Sequence, residues 1–133
     1  MPTMKINVAW VSPSQRTVLA TFDKAWELAD LLVAADLMHA MIKTVSHNVS
    51  IILWHRVPPH PMFSRLLTDI YKRQPDNTRR VVVVPQRWST GLVFISAWNN
   101  VVERLYPHKT KITIVKTIEE ALKLCEEPTP ATV

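Results

Sequence analysis

Glycine and cysteine are nearly absent from this chain. Gly91 is the only glycine and Cys125 the only cysteine among 133 residues. A single glycine cannot build either phosphate-cradling loop, G-x-x-x-x-G-K-[ST] or G-x-G-x-x-G, so nucleotide binding through such loops is excluded. A single cysteine excludes an internal disulfide and a cysteine-rich metal site. Because Cys125 follows two leucines in ALKLCEE, we expect a structural thiol near a helix end.

Long apolar runs are also missing. No run approaches the roughly 18 residues that a membrane-spanning helix needs. The opening MPTMKINVAW lacks the layout of a signal peptide, so we expect a cytoplasmic protein. The 47% hydrophobic content over 133 residues predicts one packed domain, ordered over about residues 4–127, with a flexible tail at 128–133.

Acidic residues are scarce in the second half of the chain. Between His55 and Lys116 there are eleven lysines and arginines but only three acids. The other acids gather in the first and last predicted helices. This asymmetry can guide an acidic partner or an anion, although the simpler interpretation is a solvated surface.

The residues that are present are organised around one β-loop-α unit, from Arg79 to Pro107. Val81–Val84 is a short β-branched run that predicts a strand buried on both faces. After a turn at Pro85–Trp88, apolar residues recur from Phe94 to Leu105 with the spacing of an amphipathic helix.

The same alternation extends over the rest of the chain. A turn-rich link joins two alternating runs and predicts an antiparallel hairpin, a long helix capped by Asp23 follows, and a capping-box pattern opens the last helix. The predicted segments are strands at Lys5–Trp10, Arg16–Phe22, Val49–Trp54 and Lys111–Val115, and helices at Lys24–Val45, after Pro61 and from Thr117. The order β-β-α-β-α-β-α-β-α predicts an α/β fold with a mostly parallel sheet and an antiparallel first strand at its edge.

This order of elements resembles the STAS domain, the fold of anti-sigma-factor antagonists and of the cytoplasmic tails of sulfate transporters. The closing segment RLYPHKTKITIVKTIEEALKL is similar to the ending of many STAS-like sequences, in which a short strand leads into T-[IL]-E-E-A-L. The resemblance covers about Met4 to Glu127 and implies a STAS fold, in a divergent bacterial branch without an assigned function.

The family's phosphorylation site is altered in this sequence. In signalling members, a Ser or Thr that follows an Asp accepts phosphate at the start of the helix after the second buried strand. Here the region reads His60-Pro-Met-Phe-Ser64-Arg65. Ser64 is therefore a weak candidate phosphoacceptor, and the alternative is a first-turn serine that bonds to nearby backbone.

The loops after the parallel strands predict a binding site. In open α/β sheets, ligands and partners meet the loops beyond the carboxyl ends of the strands. Free backbone N–H groups at helix starts, together with two arginines, suit an anion, and a tryptophan suits a protein interface. The alternative is a tryptophan packed over the sheet end beside solvated arginines. The candidate residues are His55, Arg56, His60, Gln86, Arg87 and Trp88.

These features predict a non-catalytic interaction module that binds proteins. The first alternative is small-ligand or anion binding at the same loops, and the second is nucleic-acid binding through the basic half. We expect no cofactor and no enzyme activity, because His55 and His60 lack a nearby acid or cysteine for a zinc site or a catalytic set.

A homodimer is also expected. Lys5 alone protects the edge strand only weakly against pairing with another chain, and Trp10 and Trp26 add apolar area. The N-terminal hairpin or the Trp26 end of the first helix would form a two-fold interface. In the competing interpretation, the tryptophans fill the core of the monomer.

Overall fold

The structure is a computed structural model, and it describes residues 5–22, 26–55, 73–85, 99–100, 104 and 112–125. These residues contain five strands and two helices. Asn99, Asn100 and Arg104 are also helical. The elements are β1 (Ile6–Trp10), β2 (Thr17–Phe22), α1 (Leu28–Lys43), β3 (Val49–His55), β4 (Thr78–Val84), β5 (Ile112–Ile114) and α2 (Ile118–Leu124).

The five strands form one mixed sheet in the order β1-β2-β3-β4-β5. β1 is antiparallel to β2, and every later pair is parallel. In register, Val18 lies opposite Ile51, Ile51 opposite Val81, and Val81 opposite Ile112. The predicted hairpin, the antiparallel edge strand and the three consecutive parallel neighbours are therefore confirmed, and the fold class is α/β.

The start of α1 differs from the prediction. The helix begins at Leu28 rather than Lys24, and its N-cap is Glu27 rather than Asp23. The backbone N–H of Glu27 donates to Oδ2 of Asp30 at 2.8 Å. This carboxylate in the first turn satisfies an otherwise unpaired donor. The prediction of Asp23 as the cap is wrong, because the helix begins after Glu27 and the Asp30 carboxylate binds the backbone N–H of that residue.

The carboxyl end of α1 is closed by a residue distant in sequence. The side-chain amide of Asn77 donates to the backbone oxygens of Ile42 at 3.0 Å and Val45 at 3.2 Å. The last carbonyls of a helix have no partners within the helix, so this contact stabilises the turn into β3. This contact therefore connects the segment before β4 to the turn that follows α1.

Alternate residues of the central strands enter two separate cores. On one face, α1 covers Ile51, Val81 and Val83, and Trp26 packs there edge-on against Phe22 with ring centroids 5.3 Å apart. On the other face, α2 covers a smaller core composed of Ile52, Val82, Val84, Ala121, Leu122 and Cys125. This burial on both faces explains why β3 and β4 are continuous apolar runs rather than alternating ones.

The last helix begins where the sequence predicts. Oγ1 of Thr117 accepts from the backbone N–H of Glu120 at 3.2 Å. The Glu120 carboxylate accepts from the N–H of Lys116 at 3.4 Å, one residue before the N-cap. The capping box thus closes one position earlier than its usual form. Cys125 is the C-cap residue and is buried, as expected for a structural thiol.

Candidate functional site

The predicted site residues lie almost entirely outside the described part of the chain. His55 is the last residue of β3, and only its backbone is described. The structure does pair Trp54 with Val84, so β3 and β4 finish side by side at one edge of the sheet. The candidates outside the described residues are Arg56, His60, Ser64, Gln86, Arg87 and Trp88.

The described residues form a cavity at the opposite edge, where the parallel strands begin. Its volume is about 610 Å³. Ser14 and Arg16 line it from the hairpin turn, and Asn48 and Ser50 line it from the start of β3. The cavity therefore lies at the amino ends of the strands, whereas the sequence predicts a site at their carboxyl ends.

Three more of the described residues line this cavity, which we call the amino-end cavity. Arg79 comes from β4, His47 from the loop after α1, and Cys125 from the end of α2. Cys125 has 4% of its surface exposed and Ser50 has 3%. Both lie at the base, whereas Arg16 and Arg79 are exposed. Among the lining residues that the structure describes, the buried ones are thus neutral, and the exposed ones include two arginines.

Two contacts hold the walls of the amino-end cavity in place. The backbone N–H of Ser50 donates to the oxygen of Arg16 at 2.9 Å, which extends the parallel pairing of β2 and β3. Nε2 of His47 lies 2.8 Å from the backbone oxygen of Gln15. Gln15 has a left-handed backbone with φ of 56°, which costs a non-glycine residue about 1 kcal/mol. The hairpin turn is therefore fixed against the loop before β3.

The end of α2 would be unfavourable for an anion if it were left uncompensated, because the carboxyl end of a helix carries partial negative charge. Nη1 of Arg80 donates a hydrogen bond to the backbone oxygen of Leu124, in the last turn of α2. This guanidinium offsets the helix end beside Cys125. The Arg80 side chain is therefore engaged in a contact within the protein.

A buried hydroxyl adjoins the floor of the cavity. Thr17 is opposite Ser50 in the parallel register, so both side chains lie on the α2 face of the sheet. Thr17 is completely buried, and its Oγ1 has no hydrogen-bond partner among the residues that the structure describes. An unpaired buried hydroxyl costs about 1–3 kcal/mol. Thr17 therefore adds a polar group with unmet bonding capacity next to Ser50.

The outer face of α1 is a second candidate surface. Val33 is 58% exposed, Leu37 39% and Leu32 37%. The spacing of apolar residues predicts a buried stripe on this helix made of Leu28, Leu31, Leu32, Ala35, Met38, Ile42 and Val45. Leu32 instead lies about 90° around the helix from the centre of the buried arc, at roughly 100° per residue. Ala34, which the stripe omits, is fully buried instead. The periodicity thus finds the helix but misplaces two residues at the edge of its buried face.

Within the residues that the structure describes, no group of three His, Cys, Asp or Glu side chains is placed to hold a metal ion. No helix in the same ranges has the length and apolar character needed to cross a membrane.

Comparison of the chain with protein-family models, with curated proteins and with solved structures found no match. The STAS resemblance therefore stays a prediction.

The basic residues of the amino-end cavity stand near the starts of parallel strands in the sequence. Arg16 and His47 come just before β2 and β3, and Arg79 lies near the start of β4. The sequence does not predict them as a site, because ligand sites of open α/β sheets usually lie at the carboxyl ends of the strands.

Proposed function

We propose that this protein is a non-catalytic, STAS-like interaction module whose first partner is a second copy of the same chain. The observation that carries the proposal is the apolar outer face of α1. Leu32, Val33 and Leu37 are all more than a third exposed on one side of a helix whose other side fills the core. Exposed apolar patches of this kind mark interaction surfaces.

The composition of this face strengthens the proposal. Ala29 and Ala40 are also exposed on it, so small side chains extend the apolar surface along the helix. Asp36 lies among them and forms an exposed 3.4 Å ion pair with Arg73. A surface ion pair of this type contributes little to stability.

The fold supports the STAS-like part of the proposal. An antiparallel first strand followed by parallel strands in consecutive order is what the resemblance implies. The T-I-E-E-A-L segment opens a helix at Thr117, as in the family pattern.

Self-association has a second structural support. β1 is at the end of the sheet, and α1 packs against it through Val8 and Trp10. Trp26 is only 4% exposed, so its side chain belongs to the monomer's core. The interface expected near the first helix is therefore better assigned to Val33 and Leu37 than to Trp26. A stable dimer should bury more than roughly 1,000 Å² in total.

Light scattering after size-exclusion chromatography tests the proposal. We expect a particle of twice the 15.3 kDa monomer mass at micromolar concentration. The double variant Val33→Glu with Leu37→Glu should shift it to monomer, because two charges would be buried in an apolar interface. Lys123→Glu, on exposed α2 surface, is the matched control and should stay dimeric. A monomeric wild-type protein would rule out the second copy as partner.

The alternatives depend on residues outside the described ranges. Anion binding at Arg56 and Arg87, phosphorylation of Ser64 and nucleic-acid binding by the basic half all stay predictions. Titration of the Arg56→Met and Arg87→Met variants with sulfate separates the first of these from the interaction module, which predicts no effect of either change on sulfate affinity.

A further inference from the structure

β1 is an edge strand without the usual protection against pairing with another chain. Within the described residues it has a neighbouring strand on one side only. Its sequence, INVAW, contains neither a charge nor a proline, and its register with β2 runs from Ile6 to Trp10 without a bulge. Charges, prolines and bulges are the features that keep edge strands from pairing. At the other end of the sheet, by contrast, the side chain of Asn99 bonds to both backbone groups of Ile112.

The hydrogen-bond pattern shows which residues of β1 face the open edge. The N–H of Val11 donates to the oxygen of Thr17 at 2.9 Å, and these two residues continue the register of β1 and β2 by one step. Bonded and non-bonded pairs alternate along an antiparallel ladder. Asn7 and Ala9 therefore bond to β2. The residues whose N–H and C=O groups point away from the sheet are Ile6, Val8 and Trp10.

The exposed apolar residues of α1 lie above the same edge. α1 packs against β1 and β2. Asp36 pairs with Arg73, which precedes β4, so the Asp36 side of the helix faces the later strands. Val33 and Leu37 lie about 60° and 100° around the helix from Asp36, in the direction that a right-handed crossover from β2 to β3 turns toward β1. The open strand edge and the apolar flank of α1 thus form one continuous surface.

We propose that β1 pairs with β1 of a second copy, antiparallel about a two-fold axis, with Val8 of one copy opposite Val8 of the other. This inference rests on the self-association proposed above and specifies its geometry. A two-fold axis places the same strand against itself, so the outward groups of the two copies meet. Ile6 of each copy lies opposite Trp10 of the other, and each of the three outward pairs exchanges two N–H···O bonds. A shift by two residues in either direction would leave only two such pairs.

The side chains at this edge suit burial against a copy of themselves. Val8 and Trp10 are half-buried and pack against the core beneath α1. The proposed register places Trp10 of one copy beside Ile6 of the other on that face. On the opposite face Asn7 meets Ala9, and both are exposed and uncharged. The paired strands therefore place no like charges opposite each other, an arrangement that would be destabilising.

The same two-fold axis brings the two α1 helices together. Neighbouring strands lie about 4.8 Å apart, so helices above the line between β1 and β2 would have axes about 10 Å apart across the two-fold. Packed helices are separated by roughly 8–10 Å. Val33 and Leu37 of each copy would then cover those of the other. Pairing of a five-residue strand alone would bury far less than the roughly 1,000 Å² of a stable interface, so the helix flanks supply the remaining area.

Disulfide cross-linking of the full chain tests the register. In the proposed pairing, Asn7 and Ala9 form a non-hydrogen-bonded pair across the two-fold, with Cα atoms about 4.5 Å apart, a separation that a disulfide can bridge. The double variant Asn7→Cys with Ala9→Cys should therefore give a covalent dimer on mild oxidation. The two single variants are matched controls, because the two copies of either position lie about 7–8 Å apart. A covalent dimer of a single variant, or none in the double variant, would overturn the proposal.

Amide hydrogen exchange separates this inference from the proposed function. In the wild-type dimer, the N–H of Val8 should exchange at least about tenfold more slowly than in the Val33→Glu with Leu37→Glu variant, because strand pairing protects it from water. The N–H of Ala9 bonds to β2 in both proteins and is the internal control. A dimer in which Val8 exchanges as fast as in the variant would preserve the self-association and refute the strand pairing. A monomeric wild-type protein would refute both.

Val8→Pro tests the central pair directly. Proline removes the outward N–H of each copy and leaves the bonds between β1 and β2 in place, which is why edge strands tolerate it. The dimer dissociation constant should rise about tenfold or more, while far-UV circular dichroism stays that of the wild type. Unchanged dimer affinity would contradict the proposal. Slow exchange at Val8 in a monomeric protein would show that another segment of the chain covers the edge, and the pairing would be wrong.

Discussion

The side chain of Asn99 pairs with both backbone groups of Ile112. Its Nδ2 donates to the Ile112 oxygen at 2.7 Å, and its Oδ1 accepts from the Ile112 N–H at 2.9 Å. The opposite side of β5 faces β4, where Val81 is the register partner of Ile112. Asn99 therefore occupies the position of a neighbouring strand at the far edge of the sheet. An edge covered in this way cannot recruit another strand at Ile112.

Replacement of Asn99 by Ala should destabilise the fold by about 1–3 kcal/mol, because the change leaves an N–H and a carbonyl of β5 without partners. Urea denaturation measures the difference. Asn100→Ala is the matched control, since Asn100 is the adjacent helical residue and is exposed. Equal stability of the two variants would mean that water replaces the Asn99 amide at no cost.

Thr17→Val should raise the free energy of unfolding by about 1 kcal/mol. The substitution keeps the shape of a completely buried side chain and removes a hydroxyl that has no partner in the described part of the structure. Thr21→Val, in the same strand at a half-buried position, corrects for the β propensity of valine. Loss of stability at position 17 alone would show that the hydroxyl is bonded in solution.

Gln15 should tolerate glycine but not valine. Its φ of 56° is favourable for glycine, whereas a β-branched side chain is strongly disfavoured there. We expect Gln15→Gly to change stability by less than about 0.5 kcal/mol and Gln15→Val to lower it by about 1–2 kcal/mol. His47 contacts the backbone of Gln15, so both variants keep that bond. Thermal unfolding compares them, and equal melting temperatures would argue against a left-handed residue.

Thr117→Ala should lower stability by about 0.5–2 kcal/mol, the usual effect of removing an N-cap hydroxyl. The loss should appear in the global unfolding transition, because α2 supplies Leu122 and Cys125 to the second core. Lys123→Ala, at an exposed position of the same helix, is the control for helix propensity. If circular dichroism showed only local fraying of α2, this helix would be independent of the sheet.

The local pattern of the sequence predicts each strand and each helix in the described ranges. Val81–Val84 and Val49–Trp54 are recognisable because strands buried on both faces must be continuously apolar. Thr117 and Glu120 reveal the start of α2 because capping depends on residues three apart. The parallel order also follows from the sequence, since strands separated by helical segments are joined by crossovers.

Contacts between distant residues, in contrast, have no local signal. Asn99 meets Ile112, Asn77 closes α1, and Arg16 and Arg79 share a cavity only because the register of the sheet brings their strands together. The sequence predicts the wrong cap for α1 for a related reason. Several acids near the start of the helix could serve as its cap, and the path of the backbone selects Glu27 and Asp30.

The sequence by itself therefore determined the α/β class, the order of the strands, the position of α2 and most of α1, because these depend on periodicity and capping within a few residues. Only the tertiary structure decided which polar side chains meet. Side-chain proximity across a sheet depends on register and on the turns between strands, and a shift of one residue would move Thr17 and Ser50 to the opposite face. The amino-end cavity is a product of that register.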